Sequence, residues 1–273
     1  MPIEVRSLAE WEAAGIAGML SVVIPAHNEE GHIADTVRDL AAALQAAEIR
    51  YEILVVNDNS SDGTERILAT LSAADPRLRY LNNAPPNGFG FAVRRGLTEF
   101  RGEAVAIVMA DGSDDPADLV RFYRKFEDGY DCVFGSRFMR GAQIIDYPKP
   151  KLLLNRLGNL LIRALFWFRY NDFTNAFKLY RRSAIAGIQP LLSHHFNLTV
   201  ELPLKCLIRG YRYTVLPNSW KNRKQGVSKL RIKEMGSRYL FIIFYCWLEW
   251  TLSRGDYRDQ EAYRGSQLQV WHR

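Results

Sequence analysis

The feature that most limits how this chain can fold is an alternation in its first half. Short apolar or β-branched runs, "LSVVIP" (20–25), "YEILVVN" (51–57), "RLRYLN" (77–82), "AVAIVM" (104–109) and "DCVFGS" (131–136), are bounded by polar turns. Between them lie stretches of helical pattern: "GHIADTVRDLAAALQAAE", "DGTERILATLSAAD", "GFAVRRGLTEF" and "PADLVRFYRKFEDG". Strands that are apolar at successive positions, and not only at every second one, need cover on both faces. The alternation therefore predicts an α/β domain with a mainly parallel sheet between helices.

Ligands of such sheets bind beyond the carboxyl ends of the strands. The polar clusters fall there: "AHNEE" after the first run, "NDNSSDGT" after the second and "ADGSDDP" after the fourth. Each has a structural reading by itself. "NSSDGT" is good turn and capping chemistry, and "HNEEGH" can open a helix. "PPNGFGF" is glycine-rich but lacks the Lys-Ser/Thr ending of a phosphate-binding P-loop. Three acidic or amide-rich loops at successive strand ends point to one shared nucleotide site. In "VMADGSDDP" (108–116), Asp111, Asp114 and Asp115 crowd together, and such carboxylates repel one another unless a cation sits among them.

At 273 residues and 48% hydrophobic content, the chain is long enough for one sizeable core plus appendages. Cys132, Cys206 and Cys246 lie far apart with no CxxC, which predicts neither a disulfide framework nor a structural zinc and fits a reducing compartment. Residues 1–19 carry Glu4, Glu10 and Glu12 and do not read as a signal peptide. The net charge of +6 calls for an anionic partner. No nucleic-acid motif is present; instead the basic residues of the second half adjoin greasy stretches, as at a lipid headgroup boundary. On a helix, "KLLLNRLGNLLIRALFWFRY" (151–170) gathers Leu153, Leu154, Leu157, Leu160, Leu161, Leu165, Trp167 and Phe168 on one broad face. Lys151, Asn155, Arg156, Asn159, Arg163 and Arg169 fall on the other. Core packing would explain such a stripe, but with "YLFIIFYCWLEWTL" (239–252) the aromatic and cationic mixture predicts two helices lying in a membrane interface. The second run is too short and interrupted to be a firm span.

The segments "SVVIPAHNEEGHI", "EILVVNDNSSDGT", "NGFGFAVRRGL", "VMADGSDDP", "GSRFMRG", "DFTNAFKLYRR" and "NRKQGVSKL" occur in the order and spacing of the family-2 glycosyltransferases. The set most resembles the dolichol-phosphate mannose synthase branch, over about residues 20–235. The resemblance implies a glycosyltransferase A-type, Rossmann-like fold, a nucleotide-diphosphate sugar donor, Mg²⁺ or Mn²⁺, and a polyprenyl phosphate acceptor. The expected organisation is an N-terminal extension (1–19), a catalytic domain (20–235) that includes helix 151–170, and a C-terminal hydrophobic helix with a polar tail (236–273).

Carried onto this chain, the resemblance gives the donor side Pro25, Ala26, Asn28 and Glu29, then Asp58, Gly88 and Ala110. Arg223 and Lys229, in the late "RxxGxSKL" loop with Ser228, close on the donor phosphates. Ser136 and Arg137 of "GSR", with Lys151 and Asn155, fall to the acceptor. His27 stands where the branch commonly has Tyr, and Asn175 and Ala176 replace a Ser-Gly pair. The acidic signature departs most: aligned on Pro116, Ala110 and Gly112 occupy its two Asp positions. Asp111 supplies a carboxylate one residue along, and Asp114 stands where the branch has a metal-site Gln. The expectation is a hard cation on Asp111 and Asp114, with Asp115 a third ligand or a helix cap.

The activity implied is inverting transfer of a hexose, with mannose from GDP-mannose the first choice and a UDP-sugar the alternative, on the cytoplasmic side of a membrane. Asp111, Asp114, Asp115, Arg137 and Arg223 carry the chemistry in this reading. A saccharide acceptor, self-association through the greasy faces, and a non-catalytic nucleotide-sugar-binding subunit are the competing readings.

Overall fold

The computed structural model describes residues 17–221 and 232–258. Strands β1 (Met19–Ala26), β2 (Arg50–Asn57), β3 (Leu78–Asn82) and β4 (Ala104–Ile107) alternate with helices α1 (Ile33–Ala46), α2 (Thr64–Ala74) and α3 (Phe89–Glu99). Helix α4 (Pro116–Glu127), β5 (Cys132–Ser136), the short β6 (Ile144–Ile145) and α5 (Lys149–Phe166) follow. Then come β7 (Lys178–Arg181), α6 (Arg182–Gly187), α7 (Leu198–Ile208), β8 (Tyr213–Pro217), β9 (Trp220–Lys221) and α8 (Ile232–Leu252).

The main sheet has seven strands in the order β3-β2-β1-β4-β7-β5-β8, and only β7 runs antiparallel to its neighbours. Both faces are covered, which explains the unbroken apolar runs. In β1, Leu20, Val22 and Ile24 pack with α1 and α4 through Ile33, Leu40 and Phe122, whereas Val23 faces the other core with Val93 and Leu97 of α3. Strand β7 and helix α7 lie outside the alternation that the sequence displays. Every residue of α7 is buried, so it shows no amphipathic period for a sequence reading to detect. Its two charges are tolerated because they meet: Lys205 pairs with Glu201 at 2.8 Å, and the Glu201 carboxylate also accepts the Leu192 and Ser193 amides at 2.7 and 2.6 Å.

That contact pulls the 190–197 connection against the start of α3. A Cβ built on Gly90 would lie 2.3 Å from the His194 carbonyl carbon, so glycine is what lets the two backbones touch. Gly158, inside α5, has open space around it. Gly90→Ala is expected to cost about 1–3 kcal/mol of unfolding free energy through overpacking. Gly158→Ala is expected to gain roughly 1 kcal/mol from helix propensity alone. Urea titration of the two variants checks the contrast.

Candidate active site

Strands β2, β1 and β4 are parallel neighbours, so the loops that leave their carboxyl ends are neighbours too. Side chains knit them together. Asn28, at φ 56°, takes the Ser61 amide on Oδ1 at 2.7 Å and donates its own amide to Ser60 Oγ at 3.0 Å. The Glu29 amide reaches Thr64 Oγ1 at 2.9 Å, and His27 Nδ1 lies 2.7 Å from the Asp58 carbonyl oxygen. Pro25 and Ala26 are buried at the end of β1, where Ala26 accepts the Asp58 amide at 2.7 Å. The Asp58 carboxylate is committed to the third loop: it accepts Asn83 and Asn87 Nδ2 and the Gly88 amide at 2.8, 3.0 and 2.7 Å. Gly88 is the N-cap of α3 at φ 138°, a conformation that L side chains rarely adopt. The expected donor residues are thus brought to one edge, and Asp58 serves there as the tie that shapes it.

The acidic loop lies next to them, held by the Thr36 hydroxyl of α1, which donates to the Ala110 carbonyl at 3.0 Å. Gly112 at φ 66° turns the chain. Ser113 N then donates to Asp111 Oδ1 at 3.2 Å, and the Asp114 carboxylate folds back to accept Met109 N at 3.1 Å. Asp115 takes the Ala117 amide at 2.9 Å and caps α4, ahead of Pro116 in the first turn. The three aspartates therefore differ: one caps a helix, one is half-exposed, and Asp114 is buried. Burial, with Asp111 beside it, pushes the Asp114 carboxyl up from its ordinary 3.8 to about 7 despite the bond from Met109.

Among the described residues no group of three or more His, Cys, Asp or Glu side chains could hold a metal ion. Asp111 and Asp114 do fit a Mg²⁺ or Mn²⁺ that takes one or two carboxylates and completes its shell with phosphates and water. Ser113 Oγ, between them in the chain, is buried and has no hydrogen-bond partner among the described residues, a further oxygen suited to that shell.

The residues expected on the acceptor side depend on a buried ion pair. Arg137 grips Asp172 with its backbone amide, Nε and a terminal nitrogen at 2.9, 2.8 and 2.7 Å, and both side chains are almost wholly enclosed. Ser136 Oγ donates to Asn171 Oδ1 at 2.6 Å. Asn175, one of the departures from the family pattern, donates to the Gly135 carbonyl at 3.1 Å and Asn218 Oδ1 at 3.0 Å, bracing the same corner. Lys178, from β7, is buried below it and donates to the carbonyls of Phe173, Asn175 and Thr199. Burial pushes its amine down to about 7, yet three carbonyl acceptors call for all three ammonium protons.

Sequence reasoning missed Lys178, as well as Tyr147 and Trp220, which lie between the acidic loop and α5. Trp220 forms a backbone bridge with Asp114, and its ring meets that of Tyr147 at 4.7 Å between centroids with a 57° tilt; the Tyr147 hydroxyl accepts from Asn155 of α5. Lys221 N donates to the Ser113 carbonyl at 3.1 Å. Nothing in the local sequence marks an isolated Tyr and Trp as partners across some seventy positions. The segment expected to follow, with Arg223, Ser228 and Lys229, lies outside the described residues, and so does the side chain of Lys151.

Helix α5 sits opposite to the way a core helix would. Ile162 and Phe166 face the protein, and Asn159, expected on the polar side, is buried, with Oδ1 accepting the Phe173 amide at 2.6 Å. The leucine face points out: Leu153, Leu157 and Leu160 are 63, 54 and 59% exposed, and Trp167 is 86% exposed. Leu165 and Phe168, expected on that face, instead pack partly against the core. Phe166 and Phe168 meet Trp250 of α8, which carries exposed Phe241, Phe244 and Leu248.

Two outcomes follow from these contacts. An Asp that ionises near 3.8 in the unfolded chain but near 7 in the fold makes the metal-free protein lose stability as pH rises between those values. Asp114→Asn is expected to flatten that slope in pH-dependent thermal melts. Bound Mn²⁺ must displace the proton, so it is expected to raise the wild-type Tm more at pH 8 than at pH 6 and to leave the variant unmoved. Asp172→Asn strands the Arg137 guanidinium and is expected to cost about 3–5 kcal/mol in urea unfolding.

Comparison with known proteins agrees with this geometry. The family described as "Glycosyl transferase family 2" matches residues 21–188. Polyprenol monophosphomannose synthase of Mycolicibacterium smegmatis is 29% identical over 215 residues, covering 77% of this chain and 80% of that protein. Undecaprenyl-phosphate mannosyltransferase of Micrococcus luteus is 28% identical over 215 residues, covering 76% of this chain and 86% of that protein. Among solved structures, glucosyl-3-phosphoglycerate synthase from Mycobacterium tuberculosis, in complex with Mn²⁺, UDP-glucose and phosphoglyceric acid, superposes with a TM-score of 0.65. It is 17% identical and covers 89% of this chain and 85% of its own. With the strand order and the loops at the sheet edge, these matches establish that the chain has the glycosyltransferase A-type fold and belongs to glycosyl transferase family 2.

Proposed function

We propose that this glycosyltransferase moves a hexose from a nucleotide-diphosphate sugar to a polyprenyl phosphate at a membrane surface, with inversion. GDP-mannose is the first choice of donor. The observation that carries the reading is one line of contacts: the buried Asp114, Trp220, Tyr147, Asn155, and then the outward leucine face of α5. A lipid phosphate whose chain lies along that face would have its head group beside the acidic loop. Burying each of these leucines in lipid contributes roughly 1 kcal/mol or more. No helix of the described residues is long and apolar enough to cross a membrane, so the association proposed is peripheral. Relatives named for polyprenol and undecaprenyl-phosphate mannosyl transfer support the same acceptor class.

Asp111 and Asp114 would hold Mg²⁺ or Mn²⁺, which offsets the charge gathering on the diphosphate leaving group. Arg223 and Lys229 would add to that. The loops of Asn28, Glu29, Asp58 and Gly88, with Ala110, would seat the nucleoside. A phosphate acceptor is already anionic and needs no strong base; this suits Asp115, whose carboxylate is occupied as a cap. Ser136, Arg137, Lys151 and Asn155 would orient the acceptor, with Asp172 holding the Arg137 fork in place. Buried free cysteines fit the cytoplasmic side. A UDP-sugar donor is the second reading, favoured by the fold match to a protein bound to UDP-glucose.

The test is release of GDP or UDP from a panel of nucleotide sugars with a short-chain polyprenyl phosphate and Mn²⁺. Acceptor-dependent release is expected, falling at least a hundredfold in Asp111→Ala or Asp114→Ala, on the scale of losing the main electrostatic stabiliser. Donor binding without turnover on any acceptor would instead identify a nucleotide-sugar-binding subunit.

A further inference from the structure

The outward face of α5 and α8 has a charge pattern as well as an apolar one. No acidic residue occurs between Asp146 and Asp172, whereas Lys149, Lys151, Arg156, Arg163 and Arg169 all do. Elsewhere on the surface, exposed Arg38, Arg77, Arg95 and Arg124 each sit on a nearby carboxylate, whereas Arg66, Arg101 and Arg140 are exposed without an ion pair among the described residues but are isolated from any apolar stripe like that of α5. Arg156, Arg163 and Arg169 are exposed, and no ion pair engages them among the described residues. Arg156 and Arg163 are seven positions apart, two helical turns, so they stack along one edge of the stripe of Leu153, Leu157 and Leu160. Arg169 extends that basic character past Trp167, whose exposed ring is of the kind that sits at headgroup level.

Resting on the membrane-surface reading above, we propose that the surface is an anionic one: Arg156, Arg163 and Arg169 bind acidic phospholipid headgroups while the leucines between and beside them enter the acyl boundary. Long arginine side chains reach headgroup phosphate from a helix lying flat, and a guanidinium pairs with phosphate through two parallel N–H bonds. A second copy of this chain would be a poor occupant. Pairing the faces would bring two unpaired cationic edges together with no carboxylate between residues 147 and 171 to meet them. The acid of α8 that comes nearest in the chain to the exposed aromatics, Glu249, is held by Arg209 at 2.8 Å.

The consequence is a charge-selective, salt-sensitive docking step separate from catalysis. Each arginine near an anionic leaflet contributes about fivefold in partitioning, so three contribute on the order of a hundredfold. The experiment is vesicle flotation of the full chain on phosphatidylcholine alone and on phosphatidylcholine mixed with phosphatidylglycerol, at low and high salt. Light scattering in the absence of vesicles is run alongside. Wild type is expected to bind the mixed vesicles at least tenfold better and to lose that preference in high salt. The Arg156→Gln/Arg163→Gln/Arg169→Gln variant is expected to lose the preference while keeping residual binding to the neutral vesicles. Leu157→Gln/Leu160→Gln, with all three arginines intact, is expected to weaken binding to both. Equal, salt-insensitive binding of wild type to both vesicles overturns the inference and leaves the membrane reading standing. No binding to either overturns both, and a concentration-dependent dimer would then assign the face to a second copy.

Discussion

The corner of the molecule between β5 and β7 is organised around the bidentate pair of Arg137 and Asp172. Removing two charges from water is costly, and the cost is recovered only when the geometry satisfies both groups. Here three bonds from one arginine, backbone included, meet one carboxylate. Because the partners lie on the segment after β5 and the segment before β7, the pair fixes where the chain crosses from one to the other. The antiparallel β7 then enters between β4 and β5, and Lys178 at its start binds the carbonyls of the same turn. Asp114 feels this cluster as well. The arginine's charge favours its ionised form, against burial and the neighbouring acids Asp111 and Asp118.

The rim formed by the loops after β1, β2 and β3 is built by a different economy of contacts. Its polar side chains mostly hold one another and the backbone, as Asn28 does with Ser61 and Asp58 with Gly88. Three loops become one rim, and what is left to face a ligand is backbone shape and a few carboxylates. The acidic loop joins this rim to the corner between β5 and β7 through Trp220 and Lys221, which pair with it from the far end of the chain.

The sheet and its loops were legible because the signals are local. Unbroken apolar runs report cover on both faces, and polar clusters right after them report strand ends. The helix opening at Pro116 was legible, but the local sequence leaves Asp115 open as a third ligand or its cap, and the structure makes it the cap. Strand β7 and helix α7 were not. A short strand such as "KLYR" carries polar residues whose partners are remote, and a helix buried on every side has no period. Lys178 and Lys205 are buried with no local sign of it in the sequence, because the groups that satisfy them, the Thr199 carbonyl and Glu201 among them, are brought in by folding.

Periodicity also grouped the exposed leucines of α5 on one face, but it misplaced Leu165, Phe168 and Asn159 and could not by itself say which way that face points. An amphipathic stripe is the same whether it meets a core or a lipid. The direction was decided by Ile162 and Phe166, which fill the space beside α8, and by Asn159, which satisfies the Phe173 amide. By itself, then, the sequence determined an α/β sheet with acidic and amide-rich loops at one edge, since strand cover, helix period and turn chemistry act within a few residues. Tertiary structure decided which carboxylates are spent on capping and bracing, which one stays buried, and that the leucines look outward. Those outcomes depend on contacts between groups far apart in the chain, whose energies are defined only once the backbone has brought them together.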